Sequence, residues 1–215
     1  MNKQLKTLEG SDDSSTHTGF LPYAERHVVL SEITYYIDED VIAPSYYRHV
    51  VEKLSQLTEN DQVRCMINSS GGMLAGLNSL MEATRNTSAS TLAVLTGECH
   101  SAASILALMH DEITVSPYAT MLVHFVRYGT SGKGQDVLDE VQHTHSTSVE
   151  LFKMAYEGFL TEAEIDDCIK GKQLYLNAKG ITDRLELRQT YRQLKMQDMQ
   201  EELQAVMKLK KDKKK

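Results

Sequence analysis

Nothing in this 215-residue chain approaches eighteen uninterrupted apolar residues, so no membrane-spanning helix is expected. The opening Met1-Asn2-Lys3-Gln4-Leu5-Lys6 leads into no apolar stretch, so no signal peptide is expected either. Cysteine is scarce: Cys65, Cys99 and Cys168 are an odd set with no C-x-x-C pair. That suits free thiols in a reducing compartment better than a disulfide framework, and a cytoplasmic location follows as the expectation. No G-x-x-x-x-G-K-[ST] motif occurs, so any use of ATP would belong to a partner. His143 and His145 alternate on a stretch that reads as helix and point to different faces, a poor ligand pair; no metal and no cofactor are expected.

Positive charge is also scarce outside the extreme C-terminus. The formal net charge is -7, yet Lys208 to Lys215 holds six Lys and one Asp, a local +5, which leaves -12 for the rest. An acidic body argues against a nucleic-acid-binding surface, and the Lys run reads as a solvated end.

What is present is ordinary globular material, 41% hydrophobic and 25% charged, enough for one domain with a sizeable core. Residues 1–26 are polar and rich in Ser, Thr and Asp, and read as a mobile arm. Residues 27–190 read as the folded domain and 191–215 as a C-terminal helix with the Lys-rich tail. Within the domain, β-type runs at Val28 to Leu30, Ile33 to Ile37, Val63 to Ile67, Thr91 to Leu95, Glu112 to Val115 and Thr120 to Val123 are interleaved with helical patterns. That alternation predicts parallel βαβ units and an α/β fold. A long helix is expected from Gly134 to about Tyr156, broken at Thr144 to Ser148, and Thr161-Glu162-Ala163-Glu164 has the form of a capping box.

Three segments carry candidate chemistry. Ile67-Asn68-Ser69-Ser70-Gly71-Gly72 ends a buried-type strand with two glycines, which let the backbone turn tightly and bring bare N–H groups near a ligand oxygen. Gly97-Glu98-Cys99-His100-Ser101-Ala102-Ala103-Ser104 sets a serine at a strand-to-helix junction among small neighbours; a close-packed helix start is the plainer reading. Met121-Leu122-Val123-His124-Phe125 closes an apolar strand with a histidine, and neutral imidazole is the group suited to taking a serine proton near pH 7.

In that order and spacing the segments resemble the proteolytic subunits of the Clp protease family. Asn68 to Gly72 resembles the family's Asn-Ser-Pro-Gly-Gly. Gly97 to His124 is similar, without a gap, to the nucleophile-to-base region of phage-type members, down to Asp111, Pro117 and Met121. Gly134-Gln135-Asp136 and Leu176 to Asp183 resemble the handle helix and the closing segment, so the likeness covers about residues 27–190. It implies a ClpP/crotonase-like fold of repeated ββα units with a protruding helical handle.

It also implies a serine endopeptidase with Ser101 as nucleophile, His124 as base, and an oxyanion hole from the N–H groups of Gly72 and Ala102. Further implications are a homo-oligomer of stacked rings enclosing a chamber, a partner AAA+ unfoldase, a peptide or protein substrate, and a second context in phage head protein processing. Ser104 competes as nucleophile because Ala102-Ala103-Ser104 mimics the Ala-Ala-Ser of bacterial subunits, but only Ser101 keeps the ungapped register. The family's acidic third residue falls on Gln173, which carries no charge yet has an oxygen able to accept from the ring; Asp166 and Asp167 are nearby acids without a supporting register. His100 replaces a small residue and reads as surface. Two other readings stay open: a catalytically silent ClpP-like structural subunit, and a crotonase-type acyl-CoA enzyme using the same two-donor logic.

Overall fold

The computed structural model describes residues 30–212. The expected N-terminal arm, Val28 and Val29 of the first expected strand, and Lys213 to Lys215 lie outside the described residues. The elements run β1 (Glu32–Ile37), a short 3-10 turn (Pro44–Tyr47), α1 (Arg48–Ser55), β2 (Gln62–Ser69), α2 (Leu74–Asn86), β3 (Ser90–His100), α3 (Ala102–Leu108), β4 (Glu112–Val115), β5 (Thr120–Val123), α4 (Gly134–Tyr156), α5 (Glu162–Ile169), β6 (Leu174–Asn177) and α6 (Ala178–Asp212).

Strand order is β1-β2-β3-β5-β6, with β4 also pairing β3. Every pairing is parallel except β5 with β6. β3 is longer than the expected Thr91 to Leu95 because two short strands share its edge in series: β4 lies along Leu92 to Leu95, and β5 along Glu98 to His100. Its register against β2 slips by two residues between Ile67↔Leu95 and Ser69↔Cys99. Asn68 fills the irregularity, its side-chain oxygen accepting the Glu98 N–H at 2.9 Å. The last residues of β3 are thereby re-aimed, a common use of a bulge beside a site.

Alternation along the strands sends one set of side chains into the core. Val63, Cys65 and Ile67 of β2 and Ala93 and Leu95 of β3 are fully buried, and α2 and α3 add Leu77, Leu80, Leu106 and Leu108. Each such leucine contributes about 1.5–3 kcal/mol by leaving water, which is what fixes the strand register.

α4 begins as a protruding handle and ends in the core. Leu138 on its first turns is 64% exposed, whereas Ser148, Phe152, Ala155 and Tyr156 are buried. The expected break at Thr144 to Ser148 is absent, and the helix is continuous. Ser146 and Thr147 hydroxyls donate back to the His143 carbonyl, which lets these residues sit mid-helix. α5 starts at the capping box: the Thr161 hydroxyl accepts the Glu164 N–H and the Glu164 carboxylate accepts the Thr161 N–H.

α6 crosses residue 190 without interruption. Its first turns dock through buried Ile181 and two arginines. Arg184 grips Glu164 with both terminal nitrogens, at 2.6 and 2.9 Å, and buried Arg188 donates to the carbonyls of Leu108 and Ala155.

Candidate active site

The three sequence segments converge at the C-terminal ends of β2, β3 and β5, where open parallel sheets keep their binding crevices. Ser101 lies between β3 and α3 with φ 54° and ψ −122°; among the described residues it is the one non-glycine with positive φ. Such a backbone costs about 1–3 kcal/mol and persists only where its surroundings hold it. Here both ends of the residue are tied. Its N–H donates to the Leu122 carbonyl of β5 at 2.8 Å. Its carbonyl accepts from the N–H groups of Ser104 and Ile105 and from the Ser104 hydroxyl, at 3.0, 3.4 and 2.7 Å. Its own hydroxyl has no hydrogen-bond partner among the described residues, and the residue is half-buried.

The Gly71-Gly72 turn rests on this bend. A Cβ added to Gly71 would meet the Ser101 Cβ at 2.6 Å, the His100 carbonyl oxygen at 2.7 Å and the Ala102 nitrogen at 2.9 Å. Gly71 also has φ +101°, so both its conformation and its contacts call for glycine. Around Gly72, Val41 donates to the Gly71 carbonyl and accepts from the Met73 N–H, a parallel bridge that leaves the Gly72 N–H unused. Ala102 is the first residue of α3, so its N–H has no acceptor within the helix.

His124 follows β5 directly. The β3–β5 register ends with His100 paired to Leu122, and the Ser101 N–H bonded to the Leu122 carbonyl holds the bend against the strand that leads to His124. The ring's Nδ1 lies 2.6 Å from the Phe125 carbonyl oxygen. A carbonyl can only accept, so Nδ1 is the donor, and in the neutral ring Nε2 is the nitrogen with the free lone pair. No hydrogen bond joins Ser101 to His124 among the described residues. The Phe125 ring is itself fixed, edge-on to His145 and to Phe152 of α4 at centroid distances of 5.5 and 5.7 Å.

The antiparallel β5–β6 pairing ends with Val123 and Leu174, so His124 and Gln173 are the residues that flank this last pair; no hydrogen bond joins them among the described residues. The Gln173 side-chain oxygen accepts from the Tyr175 hydroxyl at 2.9 Å. Asp167 is paired with Lys172 at 2.8 Å, and Asp166 lines a groove beside Leu187 and Tyr191; neither bonds His124. His100 turns along the sheet surface to Thr120, 3.1 Å away.

Other nucleophiles near the bend are closed off. Ser104 is completely buried, its hydroxyl engaged by the Ser101 carbonyl and by Tyr156. Cys99 is completely buried, and burial holds its thiol far above the usual range; Cys65 is pushed to about 12. All three cysteines are free. Among the described residues no three His, Cys, Asp or Glu side chains converge as a metal site, and no helix is long and apolar enough to cross a membrane.

Sequence reasoning missed the Phe125 carbonyl and the Asn68 side chain. A backbone acceptor has no residue signature, and the role of Asn68 depends on a bulge visible only once strands pair. The family model of Clp protease matches residues 23–169, a span that takes in the glycine turn, Ser101 and His124 but stops before Gln173. No curated protein matches the chain.

Proposed function

The chain belongs to the Clp protease family, and from that premise we propose that it is a serine endopeptidase with Ser101 as nucleophile and His124 as general base. The observation that carries this reading is the strained backbone of Ser101, tied at both ends and set between the Gly71-Gly72 turn and the strand leading to His124. In the reaction the Ser101 hydroxyl attacks a peptide carbonyl while His124 Nε2 takes its proton. The N–H groups of Gly72 and Ala102 hold the oxyanion, each donor contributing about 3 kcal/mol. Imidazolium then gives its proton to the leaving amine, and water, deprotonated by the same ring, releases the acyl group.

The third role is divided. The Phe125 carbonyl orients the ring, and the family's acidic position is held by uncharged Gln173, just beyond the last β5–β6 pair, so imidazolium gains less stabilisation than a carboxylate would supply. A slow Ser-His dyad is the form this arrangement supports. Family membership supports assembly into stacked rings around a chamber and delivery of protein substrates by a partner AAA+ unfoldase. Buried free thiols suit a cytoplasmic setting.

A fluorophosphonate probe tests the reading. Labelling that is abolished in Ser101→Ala but still goes to completion, even if slowly, in Ser104→Ala supports it. A properly folded protein that takes no label would instead favour a silent structural subunit, the reading that the uncharged Gln173 supports. Phage head processing, supported by the ungapped register around Ser101, is tested by co-expression with candidate head proteins; failure to process any of them counts against it. Acyl-CoA binding measured by calorimetry would revive the crotonase-type reading.

A further inference from the structure

Ser104 and Tyr156, the last residue of α4, take no part in the reaction above, yet both are completely buried and joined by a hydrogen bond of 2.5 Å. The Ser104 hydroxyl has one proton and donates it to the Ser101 carbonyl at 2.7 Å. Toward Tyr156 it can therefore only accept, and the phenol is the donor. Burial raises the Tyr156 pKa well beyond its ordinary value, so the phenol keeps its proton across the working range. The result is a directed chain, from the Tyr156 hydroxyl to the Ser104 hydroxyl to the Ser101 carbonyl.

What that carbonyl does follows from peptide geometry. The Ser101 carbonyl and the Ala102 N–H belong to one planar trans unit and point in opposite directions. A carbonyl turned into the first turn of α3 therefore turns the Ala102 N–H outward, toward the Gly71-Gly72 turn. We propose that Ser104 and Tyr156 are positioning residues that aim the Ala102 oxyanion donor and hold the Ser101 bend by pinning the carbonyl between them. Two backbone donors also reach this carbonyl, but Ile105 is at 3.4 Å, and only the side-chain relay ties it to a second helix. Through Ser104 the handle helix is thus linked to the peptide unit between Ser101 and Ala102. This inference rests on the serine peptidase reading and deepens it.

Three variants test it: Ser104→Ala, Tyr156→Phe, and the two combined. Each is measured for Tm, for kcat and KM on a small fluorogenic peptide, and for the rate of fluorophosphonate labelling. Losing an oxyanion donor outright costs about 100- to 1,000-fold, so misaiming one should lower kcat and labelling about tenfold with KM little changed. Ser104→Ala strands the buried Tyr156 hydroxyl and should lower Tm; removing both polar groups should recover much of it. The decisive comparison is the double variant. Recovered Tm with labelling still about tenfold slow supports positioning. Labelling that recovers with Tm, or that never slows in any variant, overturns it.

If wild-type protein takes no label, the peptidase reading fails on its own account, and amide hydrogen exchange then judges the relay. Faster exchange at Ser104 and Ile105 in Tyr156→Phe supports the relay, and unchanged exchange overturns it.

Discussion

Gly71 and Ser101 are packed so closely that a Cβ on the glycine would stand 2.6 Å from the Cβ of the serine. The turn and the bend, which carry the two proposed oxyanion donors, are therefore a single packed unit. Neither can shift without the other.

Gly71→Ala tests that contact. The new methyl would strike the His100 carbonyl and the Ala102 nitrogen as well, at a φ of +101° that alanine rarely adopts. The expected outcome is a loss of about 1–3 kcal/mol in stability and at least about a tenfold loss of peptidase activity. Thermal unfolding and kcat/KM on a short peptide measure the two. Full activity with a normal Tm would mean that the turn and the bend are not coupled.

Gln173→Asp adds a negative charge at the family's acidic position, just beyond the last β5–β6 pair. Stabilising the imidazolium should raise kcat/KM by about tenfold or more, given the loss of about 10⁴ when a triad aspartate elsewhere is made neutral. An unchanged rate would assign ring orientation to the Phe125 carbonyl alone.

Glu164 gives a pH dependence with a definite sign. The Arg184 guanidinium holds its carboxyl down to about 2 from an ordinary 4.5. A carboxyl depressed on folding contributes stability that is complete above about 4.5 and is lost as pH falls through about 2. The pair is partly solvated, so screening reduces its worth to about 1–2 kcal/mol. Denaturant unfolding of wild type and Glu164→Gln should differ by that amount at pH 7 and converge near pH 2. A gap that persists there would mean that Glu164 acts through its cap alone.

Arg188→Met removes a buried guanidinium that serves the carbonyls of Leu108 and Ala155, where α3, α4 and α6 meet. The Ala155 carbonyl loses its arginine and the Leu108 carbonyl keeps only a long bond from Arg192 at 3.5 Å, which should cost about 1–3 kcal/mol, read as a lower urea midpoint. No change would indicate that water replaces the arginine.

Much of the fold was legible because periodicity reports burial. The pattern of Val63, Cys65 and Ile67 predicts a strand, and the capping box at Thr161 marks a helix start; both stand where the sequence puts them. The break expected at Thr144 to Ser148 is absent, since hydroxyls that favour turns can bond the preceding helical turn instead. Gly71, Ser101 and His124 stand out because each residue type suits its proposed role at a strand end. The companions do not: Phe125 acts through its backbone, Asn68 through a bulge, and Tyr156 across 52 residues of chain.

By itself, then, the sequence determined the alternation of strands and helices, the glycine turn, and the order of the proposed nucleophile and base, because these depend on local composition and spacing. Only the tertiary structure decided that Ser104 is sealed against Tyr156 while Ser101 is half-buried, and that the Phe125 carbonyl takes the Nδ1 side of His124. The first depends on Tyr156, 52 residues away, and the second on how the backbone turns after β5, neither of which residue spacing reports.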